Sequence, residues 1–259
     1  MSLKTFVVDG DKGGVGKTMV SRLLAETYLR GEELGLPKCQ LMVADADKTN
    51  PDFCGEGGYE TCDQFGSMLV DLSAPRLWGE LANDLEGAVA ASALGEVRVV
   101  INLPAGIGER SLLSADRSAI GVLEYLRAVP VWVMGRTEDS ISQLERRWKE
   151  FPKTYEHGLV VLNQFFGDKD RFVMWNSSQV RRDLLDGDWK EVAIPELSDL
   201  TVQRIGRTPL FKVAKGGTTW QGLRVGPGDV MNVRAFTGMG TSILKIAETI
   251  PSLHYNGEA

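Results

Sequence analysis

Residues 12–18 read Lys-Gly-Gly-Val-Gly-Lys-Thr and follow an apolar run at residues 5–8, with only Asp-Gly-Asp between them. The three glycines have no Cβ, so they let the backbone bend sharply and come close to a bound polyphosphate. A helix that starts near Lys17 would point its free N–H groups and the positive end of its dipole at the anion. Lys17 would reach the β- and γ-phosphates, and the Thr18 hydroxyl would bind Mg²⁺. The pattern predicts a nucleotide phosphate-binding loop.

Two aspartates follow the next apolar run, in Ala44-Asp-Ala-Asp-Lys-Thr-Asn-Pro51. In an α/β sheet the chemistry lies beyond the carboxyl ends of the strands. Strand side chains alternate with period two, so Asp45 and Asp47 point the same way if the strand continues. One carboxylate could then hold the coordination shell of Mg²⁺, while the other orients an attacking water. The alternative is a pair of solvated turn aspartates that cap a helix.

The glycine loop resembles the deviant Walker A motif of the ParA/MinD superfamily of ATPases. Asp11 stands where the strict P-loop pattern has its first glycine, and this superfamily tolerates other residues there. The resemblance implies that Lys12 acts catalytically by reaching across an ATP-sandwiched dimer to the nucleotide of the partner. The nucleotide-binding residues that it implies in the loop are Asp11, Lys12, Gly13, Gly14, Val15, Gly16, Lys17, Thr18 and Met19.

The segment around Asp45 resembles switch I of this superfamily. The resemblance implies that Asp47 activates the attacking water and that Asp45 lies near the metal. Residues 97–106 resemble the Walker B and switch II segment. The resemblance also implies that Gly106 and Gly108 supply the flexible backbone of switch II that senses the γ-phosphate. The implied metal site is therefore formed by Thr18, Asp45 and Asn102.

Asn102 departs from the superfamily, which usually carries aspartate at this position to hold Mg²⁺ through water. The asparagine carbonyl can still accept a hydrogen bond from a metal-bound water, but it brings no negative charge. We therefore expect a slow ATPase, with Asn102→Asp keeping or raising the activity.

Asn163 and Pro195 correspond to positions that border the adenine base in the superfamily. Asn163 ends the apolar run 160–162, and Pro195 follows Ala193-Ile194. An asparagine at the end of a strand is also common simply as a turn residue. The resemblance covers about residues 4–214, and it implies ATP or ADP with Mg²⁺ as the bound cofactors.

Short apolar runs alternate with amphipathic stretches, which is typical of βαβ units. The predicted fold is a three-layer α/β/α P-loop NTPase with a mainly parallel, twisted sheet. The predicted strands are Thr5–Asp9, Gln40–Ala44, Val97–Leu103, Val129–Met134, Leu159–Asn163 and Val192–Ile194. The predicted helices are Thr18–Arg30, Ser140–Phe151, Ser177–Leu185 and Val233–Ile250. A long glycine-rich loop is expected at about residues 215–240, before the C-terminal helix.

The chain has 259 residues, a net charge of −6 and 25% charged residues. This length suits a single P-loop ATPase domain over residues 1–259. The acidic balance argues against a surface covered by nucleic acid. No run of 18 apolar residues indicates a membrane span, and the early first strand leaves no room for a signal peptide. Three cysteines without a C-x-x-C pair indicate reduced thiols, so we expect a cytoplasmic protein.

Two functions are compatible with these motifs. The first is a ParA-like ATPase that forms an ATP-dependent homodimer and acts in plasmid or DNA partition, stability or positioning. DNA and an adaptor protein are its possible partners, and no membrane is expected. The candidate basic contacts, which could equally be solvated helix faces, are Arg146, Arg147, Lys149, Lys153, Arg181 and Arg182. The second is an ATP-dependent small-molecule ligase resembling dethiobiotin or cobyrinic acid synthetases, with an acid pocket formed by loops 55–95 and 215–240.

Overall fold

Seven strands form one sheet in the computed structural model, which describes residues 2–48, 50–107 and 117–252. Every neighbouring pair is parallel, and the spatial order is β3-β2-β4-β1-β5-β6-β7. The strands are β1 (Ser2–Asp9), β2 (Cys39–Asp45), β3 (Phe65–Leu69), β4 (Glu96–Asn102), β5 (Ala128–Met134), β6 (His157–Asn163) and β7 (Asp188–Ile194).

Helices cover both faces of this sheet. They are α1 (Lys17–Leu29), α2 (Leu77–Asp84), α3 (Glu86–Ala91), α4 (Ser118–Tyr125), α5 (Glu138–Glu150), α6 (Val173–Ser177), α7 (Gln179–Asp186), α8 (Asp199–Ile205), α9 (Leu210–Lys215) and α10 (Pro227–Leu244). Short 3-10 helices lie at Gly31–Leu34, Gln164–Phe166, Lys169–Arg171 and Lys245–Thr249.

Side-chain alternation along the strands divides the core into two layers. In β1, Leu3 and Val7 belong to one apolar cluster, together with buried residues of α2 to α7. Phe6 and Val8 belong to the other, together with residues of α1, α8, α9 and α10. The predicted three-layer α/β/α architecture is therefore confirmed.

All six predicted strands are present, with bounds shifted by a few residues. The sequence missed β3, because Phe65-Gly-Ser-Met-Leu69 is short and carries glycine and serine. It is also an edge strand whose residues are mostly half-buried, so it lacks the continuous apolar run of the central strands.

The predicted loop at 215–240 is too long, because α10 already begins at Pro227. Proline suits the first turn of a helix, where its missing N–H would have no partner. Gly240 lies inside α10, and a Cβ there would come within 2.9 Å of Leu23 on α1. Part of the glycine content thus allows two helices to pack closely, and the connecting loop is confined to residues 216–226.

Among the described residues, no helix has both the length and the apolar composition needed to cross a lipid bilayer.

Candidate functional site

The glycine loop joins the carboxyl end of β1 to the start of α1, as its sequence predicts. Gly14 and Gly16 have φ angles of +83° and +102°, which side chains rarely tolerate. The first helical hydrogen bond runs from Val20 N–H to the carbonyl oxygen of Gly16, over 3.0 Å. The N–H groups of the preceding residues are therefore free of helical partners and available to an anion.

The two lysines of the loop have different surroundings. Lys17 is buried and lines the cleft above the loop, with its Nζ donating to the carbonyl oxygen of Lys12 over 3.0 Å. Burial lowers the pKa of Lys17, while the carboxylates of Asp9, Asp47 and Asp11 act in the opposite direction. Lys12 does not line this cleft, and its side chain is 54% exposed. Its Nζ donates a 3.5 Å hydrogen bond to the hydroxyl of Thr137.

Asp11 turns its side chain away from the cleft. The carboxylate is 3% exposed, and it lies so close to Gly135 that a Cβ there would be 3.2 Å from Oδ1. Neither oxygen has a hydrogen-bond partner among the described residues, and the nearest cation is Lys12 Nζ at 3.9 Å. The aspartate at the first position of the loop therefore packs beneath it, against the segment that follows β5.

A buried ion pair supports the loop from below. Asp9 ends β1 and accepts a hydrogen bond from Gly10 N–H over 2.7 Å. Its other oxygen lies 3.2 Å from Nε of Arg147 on α5, and that guanidinium lies 4.6 Å from the ring centre of Trp132. Arg147 is 2% exposed. Its predicted role as a surface contact for DNA is therefore wrong.

Asp45 and Asp47 do not share a face, because β2 ends at Asp45. Asp45 is fully buried, and its oxygens accept hydrogen bonds from the N–H groups of Asp47, Phe53 and Cys54 and from the side chain of Asn102. Burial raises the pKa of Asp45, and these hydrogen bonds oppose the rise. Asp45 thus anchors the segment that follows β2, and its contacts do not favour the predicted role beside a metal.

Asp47 is half-buried and lines the cleft together with Lys17 and Thr18. Its Oδ1 accepts a hydrogen bond from Asn50 N–H over 3.1 Å, which leaves the other oxygen for a ligand. This position suits its predicted role of orienting a water molecule, a role that stays a prediction.

Asn102 ends β4 between two other polar groups. Its Nδ2 donates to Asp45 over 2.9 Å, and its Oδ1 accepts from the hydroxyl of Ser21 over 3.2 Å. Asn102 also lines the cleft. Gly106 has a φ of +71°, as a flexible glycine can, whereas Gly108 lies outside the described residues.

The donor set around the cleft fits Mg²⁺ bound to a phosphate. In the described part of the chain, no group of three or more histidine, cysteine, aspartate or glutamate side chains could hold a metal alone. Magnesium on a nucleotide needs few protein ligands, because phosphate and water oxygens complete its octahedron. The Thr18 hydroxyl and the Asp47 carboxylate, which both line the cleft, are the residues that would hold it.

Neither of the two predicted base contacts lines the cleft, although Asn163 packs directly behind the phosphate loop. Asn163 donates to the carbonyl oxygen of Val15 over 3.3 Å and accepts from Phe165 N–H over 3.1 Å, so its amide holds two backbone segments together. Pro195 lines a separate groove beside Phe236 and Met239 of α10. Neither residue is part of the cleft wall. A contact of either with the base therefore stays a prediction.

The cleft has a volume of about 550 Å³ and extends well beyond the phosphate loop. The lining residues that the sequence did not indicate are Arg22, Asp52, Val202, Gln203, Gly206, Arg207, Trp220 and Gln221. Arg22 lies one helical turn after Thr18, and this spacing could have indicated it. The others come from the segment after β2, from α8 and the turn that follows it, and from the 216–226 loop, which only the tertiary structure brings together at the cleft.

No protein-family model matches the chain. Protein MobD of Acidithiobacillus ferrooxidans is 26% identical over 203 residues, which cover 77% of this chain and 80% of that protein.

Three solved structures resemble the chain at low similarity. A nucleotide-binding protein of Archaeoglobus fulgidus in complex with ADP has a TM-score of 0.46 and 18% identity, covering 80% of this chain and 88% of that one. Chloroplast FtsY of Physcomitrella patens has a TM-score of 0.43 and 17% identity, covering 81% and 61%. FtsY of Mycoplasma mycoides has a TM-score of 0.42 and 12% identity, covering 92% and 68%.

Proposed function

We propose that this chain is a nucleotide-dependent switch of the ParA/MinD type, which binds Mg-ATP, dimerises around it and hydrolyses it slowly. The observation that carries the proposal is the contrast between the two lysines of one loop. Lys17 is buried and lines the cleft, whereas Lys12 is mostly exposed and does not line it. A cation presented outward beside a phosphate site is suited to act on the nucleotide of a second subunit.

The residues around the cleft divide the work of phosphoryl transfer, which depends mainly on positioning and on neutralising charge. The backbone N–H groups at the start of α1 and the ammonium of Lys17 hold the phosphates. Thr18 and Asp47, which both line the cleft, would hold Mg²⁺, and the ion would supply further positive charge when bound. Asp47 also orients the water. Because Asn102 brings no carboxylate, the site would lack one negative charge beside the metal, and we expect slow turnover.

The experiment compares three single lysine variants by sedimentation velocity with Mg-ATP and with Mg-ADP. The wild type should dimerise in Mg-ATP only. Lys12→Ala should bind ATP but remain a monomer, and Lys17→Ala should lose ATP affinity. Lys48→Ala is the matched control, because Lys48 is similarly exposed at 56% and pairs with Asp71. A wild type that stays monomeric in saturating Mg-ATP contradicts the proposal.

A DNA or adaptor contact is part of the same proposal, and it would be made by the dimer. The remaining candidate basic side chains all have partners within the chain: Arg146 with Glu150, Lys149 with Glu145, Lys153 with Glu124, Arg181 with Glu191, and Arg182 with Gln179. Sedimentation with duplex DNA at two salt concentrations tests the contact. DNA binding that needs ATP and weakens steeply with salt would support it.

The small-molecule ligase remains the second candidate. A ligase would need an acid pocket to which the loop before the last helix contributes, and residues 220–221 of this loop do line the cleft. Arg207, which lines the same cleft, could pair with the carboxylate of a substrate. A monomer that turns over ATP only in the presence of a small carboxylic acid would favour this function.

A further inference from the structure

Trp220, in the 216–226 loop, is 38% exposed, and its side chain packs against two glycine turns beside the cleft. A Cβ on Gly57 would lie 2.3 Å from the Cβ of Trp220, and one on Gly206 would lie 2.9 Å from its Nε1. Both glycines have positive φ angles, +77° and +52°. The N–H of Trp220 is fixed by a 3.0 Å hydrogen bond to the buried hydroxyl of Thr208. The indole therefore joins the segment after β2 to the turn after α8.

Arg207 extends this connection toward Asp52. Its guanidinium lies 4.9 Å from the centre of the Trp220 ring, within the range of a cation–π contact. Its Nε lies 3.4 Å from Oδ1 of Asp52. Asp52 belongs to the same segment as Asp47, and all four residues line one cleft.

Arg22 connects the same parts from the side of the phosphate loop. It lies on α1, and its side chain is almost fully buried. One terminal nitrogen donates to the carbonyl oxygen of Gly206 over 2.9 Å, and the other donates to that of Asp52 over 2.7 Å. A planar guanidinium with two fixed partners holds both in one geometry.

We propose that Arg22, Arg207 and Trp220 form a clamp that positions Asp47 against the phosphate loop. Asp45 holds Asp47, Phe53 and Cys54 through the hydrogen bonds described above, and Lys48 pairs with Asp71. The clamp adds a further attachment at Asp52 and Gly57. The three residues are positioning residues, because they act through Asp47. This inference depends on the proposed ATP hydrolysis at the cleft, and it adds that the 216–226 loop controls the rate of the chemical step.

The test compares Trp220→Ala and Trp220→Phe with Leu223→Ala, which removes a side chain that is 55% exposed in the same loop. Trp220→Ala should lower kcat by about tenfold or more, since a misplacement near 1 Å costs up to about a hundredfold. Its KM for ATP should stay within about threefold, because the phosphate-binding groups are untouched. Trp220→Phe should retain most of the activity, and Leu223→Ala should equal the wild type.

A second measurement, hydrogen exchange on the nucleotide-free protein, does not depend on turnover. The N–H groups of Phe53 and Tyr59, which bond to Asp45 and to the Phe53 carbonyl, should exchange about fivefold faster or more in Trp220→Ala. Arg207→Gln, at a half-buried side chain, should change the exchange in the same direction if Trp220→Ala does not fold. Unchanged exchange in both variants overturns the clamp.

The two measurements separate the clamp from the proposed function. If hydrogen exchange is faster in Trp220→Ala but the wild type does not turn over ATP, the contacts of the clamp exist and the proposed hydrolysis is wrong. The claim that the loop controls the rate of hydrolysis then fails as well. A proportional loss of ATP affinity and of kcat in Trp220→Ala would make Trp220 a part of the binding wall, and it would overturn the assignment as a positioning residue.

Discussion

The side chain of Asn163 lies where a side chain on Gly16 would have to go, since a Cβ on Gly16 would be 2.3 Å from Asn163 Nδ2. The same amide donates to the carbonyl oxygen of Val15. The end of β6 therefore supports the last turn of the phosphate loop directly. Position 16 therefore requires glycine for two reasons, the φ of +102° and the lack of space for a Cβ beside Asn163.

Gly16→Ala should consequently weaken ATP binding by about tenfold or more, because the substitution adds both backbone strain and a collision with Asn163. Isothermal titration with ATP measures the loss. Gly13→Ala is the matched control, since a Cβ on Gly13 meets nothing within 4 Å and its backbone is outside the left-handed region. Equal affinities for the two variants would show that the Asn163 contact does not shape the loop.

Arg147→Ala should lower the free energy of unfolding by about 3–5 kcal/mol, because it leaves the carboxylate of Asp9 buried without its cation. Arg146→Ala, at the neighbouring exposed residue, removes only an i,i+4 pair with Glu150 and should cost less than about 0.5 kcal/mol. Urea unfolding of both variants measures the difference. Similar midpoints would mean that the pair with Asp9 contributes little.

Glu26 on α1 should make the stability depend on pH. Burial raises its pKa from 4.5 to about 7, although hydrogen bonds from the Tyr59 hydroxyl and from Phe211 N–H favour the charged form. The folded state therefore keeps a proton that the unfolded chain releases as pH rises. The retained proton contributes about 3 kcal/mol to the free energy of unfolding. This contribution is complete below pH 4.5 and is lost as pH rises through about 7.

Glu26→Gln keeps the acceptor oxygen and removes the titration. Between pH 4.5 and pH 8, the free energy of unfolding of the wild type should thus fall by about 3 kcal/mol relative to that of this variant. Urea titrations of both proteins at the two pH values give the difference. Parallel pH profiles would show that Glu26 does not carry a proton in the folded protein.

Asn102→Asp should destabilise the protein and thereby lower its ATPase activity. The sequence alone led to the opposite expectation, that the substitution keeps or raises this activity. The Nδ2 of Asn102 donates to a buried oxygen of Asp45 over 2.9 Å, and a carboxylate there would place two acceptors in contact. The expected cost is about 1–3 kcal/mol, with a fall in ATPase activity. Thermal unfolding and a phosphate-release assay measure the two effects. A variant as stable and as active as the wild type would show that the contact with Asp45 is dispensable.

Much of the fold could be predicted because its signals are local. The apolar runs of the five inner strands report burial on both faces of a parallel sheet, and edge strand β7 still ends in the buried run Val192–Ile194. These signals need no knowledge of the neighbouring strands. Edge strand β3 and the start of α10 could not be predicted in this way. Their residues include glycine, serine and proline, and their structure depends on the neighbour against which they pack.

The sequence by itself determined the strand, glycine loop and helix that form the phosphate site, since close backbone approach and a free helix start follow from residue type and order. Only the tertiary structure decided which polar side chains face the cleft. Asp47 faces the cleft, whereas Asp45 is buried and holds the backbone after β2. Arg147 is buried beneath the loop, and Trp220 lines the cleft although it is distant in sequence. Side-chain direction and burial depend on contacts between elements, and such contacts are not encoded in any one segment.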